Sequence, residues 1–310
     1  MIRQRPVELL APARNVECAM AAVDHGADAV YIGASRFGAR ASAGNSVEDI
    51  ARLVEYAHTF RVKVYVTVNT ILKDEELPET EKLVWALYRA GVDALIVQDM
   101  ALLELDLPPI PLHASTQMDN RTPEKVKFLH GLGFSQVVLA RELSLAEIQA
   151  VHAACDVPLE VFVHGALCVS YSGQCYVSQH CFGRSANRGE CAQFCRLKFD
   201  MVDSDGRMIE QGRHLLSLKD MNRGADLERL LDAGVTSLKI EGRLKDAAYV
   251  KNVTAWYRSR LDEIFKRRPE YRRASSGQIS LAFTPCLEKS FNRGFTRYFL
   301  DGRTPDVFSF

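Results

Sequence analysis

Apolar positions along the chain switch repeatedly between two periods. Short continuous apolar runs alternate with stretches whose apolar side chains recur at i, i+3, i+4 and i+7, as at Ile50, Leu53, Val54 and Ala57. One phrase marks several of the switches: "HGADAVYIGA" at Gly26, "AGVDALIVQD" at Gly91, "LGFSQVVLAR" at Gly133 and "AGVTSLKIEG" at Gly234. A glycine just past a helix suits a left-handed C-terminal cap, and the apolar run after it suits a buried parallel strand. The pattern predicts strands near 7–11, 29–33, 63–68, 94–97, 111–114, 136–140, 159–163 and 237–241. It predicts helices near 15–25, 46–60, 78–90, 122–132, 144–154, 223–233 and 246–265. Ser46, Thr122-Pro123 and Ser144 stand where N-caps and a first-turn proline belong.

Strands that alternate with helices imply a parallel sheet flanked by helices. Eight such units most simply close into a (β/α)8 TIM-type barrel. The rival is an open doubly wound sheet, but no GxGxxG follows the first strand. "LLSLKD" (215–220) is a candidate ninth strand. Residues 166–214 break the rhythm directly after the seventh strand, so 1–265 is expected to be the barrel, carrying this segment as an insertion. Residues 266–310 are expected to begin a C-terminal extension. The closing "DGRTPDVFSF" has the character of neither a helix end nor a polar tail, and further domains are expected beyond it.

In a barrel the loops after the strands build the active site. The residues at those positions are unusually polar: Arg14, Asn69, Thr70, Gln98, Asp99, Ser115, Thr116, Gln117, Arg141, Glu142, His164, Glu241 and Arg243. Arginines at a barrel mouth suit an anionic small molecule, because a guanidinium can pair a carboxylate through two parallel hydrogen bonds. The alternative for Arg141, Glu142, Glu241 and Arg243 is a structural network among themselves. For His164 it is an ordinary hydrogen-bonded role.

Charge and composition narrow the field. Thirty-nine basic and thirty-nine acidic residues among 310 leave no global field to attract nucleic acid or membrane, although a local patch remains compatible. The 47% apolar content supports a large core. The N-terminus has no apolar signal segment, and no run approaches a membrane span. The expected location is cytoplasmic, where thiols stay reduced.

That makes the stretch "HGALCVSYSGQCYVSQHCFGRSANRGECAQFC" informative. It holds Cys168, Cys175, Cys181, Cys191 and Cys195, five of the eight cysteines. The spacing Cys168-x6-Cys175-x15-Cys191-x3-Cys195 offers four soft donors without the paired knuckles usual for structural zinc. An iron–sulfur cluster is favoured, zinc is the alternative, and a single nucleophilic thiol explains the crowding least well. Cys181 is a fifth candidate, either an alternative ligand or a free thiol. Cys18 and Cys155 are expected to be packing residues. Arg184, Arg188, Arg196 and Lys198 in the same insertion would face a polyanion or offset a cluster's charge. The run "RSRLDEIFKRRPEYRR" (258–273) is either a solvated helix end or a second RNA contact.

At "EVFVHGALCVSYSGQCYVS" (160–178) the sequence strongly resembles the signature of the collagenase-like peptidase U family, and "ELLAPA", "GADAVYIG", "RGECAQFC" and "KIEGR" fit the same family in order. The resemblance covers essentially the whole chain. Within the family it is most similar to the branch that makes 5-hydroxycytidine in large-subunit ribosomal RNA, through "VTVNTIL", "PPIPLHASTQ", "VVLAREL", "GRSANRGEC" and "KIEGRLKD". Sister branches hydroxylate a transfer RNA (tRNA) uridine or serve as partners in oxygen-independent quinone synthesis. The resemblance implies an iron–sulfur cluster, four-iron (4Fe-4S), on Cys168, Cys175, Cys191 and Cys195. It also implies prephenate, a small dicarboxylate, as co-substrate in C5 hydroxylation of a 23S rRNA cytidine. On that basis Asn69, Gln98, Gln117, Arg141 and Arg243 are expected to bind the co-substrate. His164 or Glu241 is expected to move a proton, and Arg184 and Arg188 to meet RNA. Proteolysis, which the family's name suggests, finds no HExxH or GxSxG motif to support it.

Overall fold

The structure is a computed structural model in which residues 4–38, 44–303 and 307–308 are described. β1 (Arg5–Ala13), β2 (Ala29–Ala34), β3 (Lys63–Val68), β4 (Ala94–Val97), β5 (Leu112–Ala114), β6 (Gln136–Val138) and β7 (Leu159–Ala166) lie side by side, each parallel to the last. The insertion contributes an antiparallel hairpin, β8 (Phe199–Val202) with β9 (Met208–Arg213). β10 (Asp220–Asn222) then runs antiparallel to the end of β7. β11 (Val235–Ile240) closes the barrel as its eighth stave, with Leu238 opposite Val161 of β7 and Leu9 of β1. The suspected ninth strand is therefore only the tip of its segment, and it lies outside the closed ring.

The helices α1 (Val16–Asp24), α2 (Val47–Thr59), α3 (Leu77–Arg89), α4 (Pro123–Gly131) and α5 (Leu145–Ala154) fall between the strands as the periodicity predicts. α6 (Val177–Phe182) belongs to the insertion, while α7 (Leu227–Asp232) and α8 (Ala247–Arg267) flank β11. Ser46, Thr122 and Ser144 each accept a hydrogen bond from a first-turn amide, and Glu147 completes a capping box with Ser144. Gly234 has φ +93°, and a Cβ there would lie 2.2 Å from the His152 ring, so only glycine fits this return into β11.

The period-2 alternation separates two interiors. Val7, Leu9, Ala11, Val64, Val66, Val161 and Leu238 point outward into the apolar layer under the helices. The barrel axis is polar by comparison. Tyr65 donates to Glu8 at 2.6 Å, Ser237 bridges Glu8 and Glu160, and Lys239 pairs with Glu160 at 2.6 Å.

Residues 266–310, expected to begin a C-terminal extension, lie against the barrel where they are described. β12 (Tyr271–Arg273) pairs with the start of β1, and β13 (Phe295–Thr296) pairs with β10. Leu287, Leu300 and Val307 are buried. Four arginines of the basic run 258–273 are engaged by carboxylates of the chain around this docking. Buried Asp28 accepts from Arg258 at 3.1 Å, Arg273 at 3.0 Å and Ser275 at 2.6 Å. Arg267 pairs with Glu228, and Arg268 with Asp232 and Glu270.

Candidate active site

A cavity of about 300 Å³ opens at the C-terminal ends of the strands, between the barrel mouth and the cysteine-rich insertion. Tyr31, Phe162 and Lys239 line it from the barrel side, with Arg141, Glu241 and Arg243 as its other charged lining residues. Arg141 pairs with Glu241 at 2.5 Å, and its guanidinium stacks 3.8 Å from the centre of the Phe162 ring. Arg243 donates to Thr67, and Asn69 donates to Ser115 at 3.2 Å. Arg141 thus pairs across the mouth with Glu241 and not with its sequence neighbour Glu142. Glu142 turns instead to the insertion, accepting from the Ser172 amide at 2.9 Å and hydroxyl at 3.0 Å.

Of the expected binding residues, Asn69, Gln117, Arg141 and Arg243 line the cavity and Gln98 does not. Gln98 is buried, donating weakly to the Gln117 carbonyl at 3.4 Å, with its own side-chain oxygen unpartnered among the described residues.

Glu241 lines the cavity, but His164 does not. On β7, Phe162 pairs with Lys239 while His164 pairs with the next residue, Ile240, so two β7 residues oppose one. Such a bulge turns the chain by one residue and re-aims the side chains after it. His164 consequently points away from the mouth into a cage of Tyr249, Tyr257 and Phe295, with ring centroids 6.1, 5.5 and 5.7 Å away. Burial pushes its imidazole down to about 3, so it is neutral.

The insertion forms the opposite wall. It is fastened to the barrel by buried and half-buried polar contacts rather than by a core of its own. Arg188 forms a two-pronged pair with Glu76, at 2.9 and 2.7 Å, and also donates to the Ile71 carbonyl at 2.7 Å. That pairing, made foremost by the Arg188 hydrogen bonds, holds the Glu76 carboxyl down to about 2. Arg188, expected to meet RNA, thus staples the insertion to the barrel through Glu76 and the Ile71 carbonyl. Arg196 is another, donating to Ser217, Leu218 and Leu167. Arg184 is exposed. Gly173 sits so close to the loop after β5 that a Cβ would lie 2.0 Å from the Gln117 carbonyl oxygen.

Cys168, Cys175, Cys191 and Cys195 all line the cavity, and Cys181, exposed on α6, does not. Burial raises the Cys195 thiol, and the nearby thiols of Cys168, Cys191 and Cys175 add to the effect. Cys168 is raised likewise by burial, tempered by the Ser170 amide and by the Arg141 charge. The Gln193 amide donates to the Cys191 sulfur at 3.4 Å. Among the described residues, no three His, Cys, Asp or Glu groups converge closely enough to hold a single metal ion. The sulfurs share a wall without meeting at one point. A polynuclear cluster, which takes one thiolate per iron, fits that donor set better than tetrahedral zinc.

Residues 14–307 match the model of peptidase family U32. The chain belongs to that family. Its U32 relatives include the 23S rRNA 5-hydroxycytidine C2501 synthase of Escherichia coli (strain K12), 56% identical over 304 residues. That match covers 98% of this chain and 47% of the relative, so the chain spans about half the relative's length. The tRNA hydroxylation protein P1 of Bacillus subtilis (strain 168) is 38% identical, covering 97% of this chain and 72% of that protein. The collagenase of Porphyromonas gingivalis (strain ATCC BAA-308 / W83) is 33% identical over 82% of this chain and 65% of its own length. A solved structure of the U32 peptidase Mk0906 aligns over 78% of this chain and 94% of that one, with a TM-score of 0.47 and 15% identity.

The residues that motif reading missed are Lys239, Tyr31 and Phe162. Lys239 was detectable, since "SLKIEG" alternates and places Ser237, Lys239 and Glu241 on one side of β11 and its extension.

Proposed function

We propose that this U32 barrel is the catalytic part of an enzyme that hydroxylates C5 of a cytidine in 23S ribosomal RNA, with prephenate as co-substrate. The reading is carried by the 56% identity to the E. coli synthase across nearly the whole chain. It is supported by a cavity that unites a cationic mouth with a wall of four thiols. Cys168, Cys175, Cys191 and Cys195 would hold a four-iron cluster, which when bound supplies the redox chemistry.

The chain's own residues do the rest. Arg141 and Arg243 bind carboxylate, and Asn69 and Gln117 orient the molecule by hydrogen bonds. Glu241, fixed by Arg141, accepts or returns a proton. The target cytosine must be unstacked to bring C5 into the cavity. Exposed Arg184 lies on the insertion and would contact phosphate. No helix among the described residues is long and apolar enough to cross a membrane, and a ribosomal substrate implies work in the cytoplasm. Among the described residues no histidine lines the cavity to activate a serine or cysteine, which gives proteolysis no support.

Nucleoside mass spectrometry of RNA from cells with and without the gene tests the reading. The expected result is loss of 5-hydroxycytidine from 23S rRNA alone. Loss of a hydroxylated uridine from tRNA would move the substrate to the sister branch, and no change in either RNA would overturn RNA hydroxylation.

A further inference from the structure

Among the described residues, the charged side chains lining the cavity are three cations, Arg141, Lys239 and Arg243, and one carboxylate, Glu241. Lys239 is the deepest set of the three in the barrel axis and is almost fully buried. An ammonium carries three N–H donors. Among the described residues the only hydrogen-bond acceptor for Lys239 is Glu160, at 2.6 Å. The rings of Tyr31 and Phe162 flank the ammonium, with centroids 4.5 and 5.4 Å away. Among the described residues no second hydrogen-bond acceptor meets its other two donors, and Lys239 lines the cavity.

The surroundings make this a built position. Glu160 is fully buried and is itself held by Gln136 at 2.6 Å and Ser237 at 3.3 Å. Tyr31 is anchored by its hydroxyl, which donates to the Ile240 carbonyl at 2.8 Å. The Phe162 ring that Lys239 approaches is also the ring on which Arg141 stacks. Two cations are thus spaced by one aromatic ring, a separation that suits a small molecule with two carboxylates. A buried Lys–Glu pair is a poor device for stability alone, since desolvation consumes most of its attraction. A first-contact cation held by a buried carboxylate is the usual architecture of a preorganised site.

We infer that Lys239 is a substrate-contacting residue at the cavity floor, taking one carboxylate of the small dianionic co-substrate while Glu160 holds its ammonium in place. The assignment rests on the dicarboxylate reading above and adds a residue to it.

The test is calorimetric titration of prephenate into the full chain carrying its cluster, comparing wild type with the charge-neutral pair Lys239→Gln/Glu160→Gln. The pair variant removes both charges, so no lone ion is left buried. The expected result is a melting temperature within a few degrees of wild type and prephenate affinity weakened at least about 30-fold. A monocarboxylate probe, phenylpyruvate, should lose markedly less. A folded pair variant that binds prephenate within twofold of wild type overturns the role of Lys239 and leaves the RNA reading intact. Wild-type protein that does not bind prephenate at all overturns the dicarboxylate reading and this assignment with it. Should the pair variant not fold, cyanate carbamylation of Lys239 in the wild-type protein decides, read by peptide mass spectrometry. Saturating prephenate should block the labelling, and labelling indifferent to prephenate overturns the inference.

Discussion

The two ends of the barrel hold comparable numbers of cations and use them in opposite ways. At the N-terminal end Arg258, Arg267, Arg268 and Arg273 come from one crowded stretch of sequence, and each meets a carboxylate of the chain itself. At the mouth Arg141, Lys239 and Arg243 lie on or just past strands β6 and β11, and among the described residues the cavity they line has one carboxylate, Glu241. Basic density along the sequence therefore marks the structural end. Placement at strand ends marks the functional one. The difference is one of balance, since matched pairs hold elements together at one end, whereas the described residues lining the cavity include more cations than carboxylates, a balance that suits an anionic ligand.

Breaking the structural end should have the largest effect on folding. Asp28→Ala leaves Arg258 buried without its fully buried partner and is expected to cost about 3–5 kcal/mol, measured by urea denaturation. A loss under about 1 kcal/mol would show that Asp28 is dispensable. At the mouth, Arg141→Met is expected to raise the co-substrate KM roughly 10- to 100-fold, from a charged hydrogen bond worth about 1.5–3 kcal/mol, with little change in melting temperature. An equal loss of stability and binding would erase the contrast between the ends.

The barrel axis connects the two ends, and its pH response sharpens the picture. Burial raises Glu8 from 4.5 to about 7, so the folded state keeps a proton that the unfolded chain releases. Its contribution is present below about pH 4.5 and is lost as pH rises towards 7. Glu8→Gln should remove that fall, so the gap between variant and wild-type urea midpoints grows in the variant's favour from pH 5 to pH 8. Parallel profiles would contradict the buried proton. The smallest effect is expected at Arg184, where Ala should weaken RNA binding slightly and lower the salt slope by about one without altering stability.

Most of the fold was legible because it obeys two periods. The predicted strands and helices lie within a few residues of those observed, and Ser46, Thr122 and Ser144 cap the helices they precede. What stayed hidden depends on contacts that no local pattern encodes. The partner of Arg188 is Glu76, 112 residues away. His164 fits a strand end in sequence, yet a one-residue bulge turns it into an aromatic cage. The segment after α8 has little periodicity, so its return to β1 and β10 was not visible. In the insertion, glycines and caps carry no period, and only the thiols identified the site. Even there, spacing alone did not separate Cys181 from the four that line the cavity.

That separation supplies the most direct test of the account. A strain lacking the gene is complemented with wild type, Cys191→Ser or Cys181→Ser, and 5-hydroxycytidine in 23S rRNA is quantified by mass spectrometry. Wild type and Cys181→Ser are expected to restore the modification, and Cys191→Ser to leave it absent. Full restoration by Cys191→Ser would contradict the claim that the four-thiol wall and the cationic mouth form one active site.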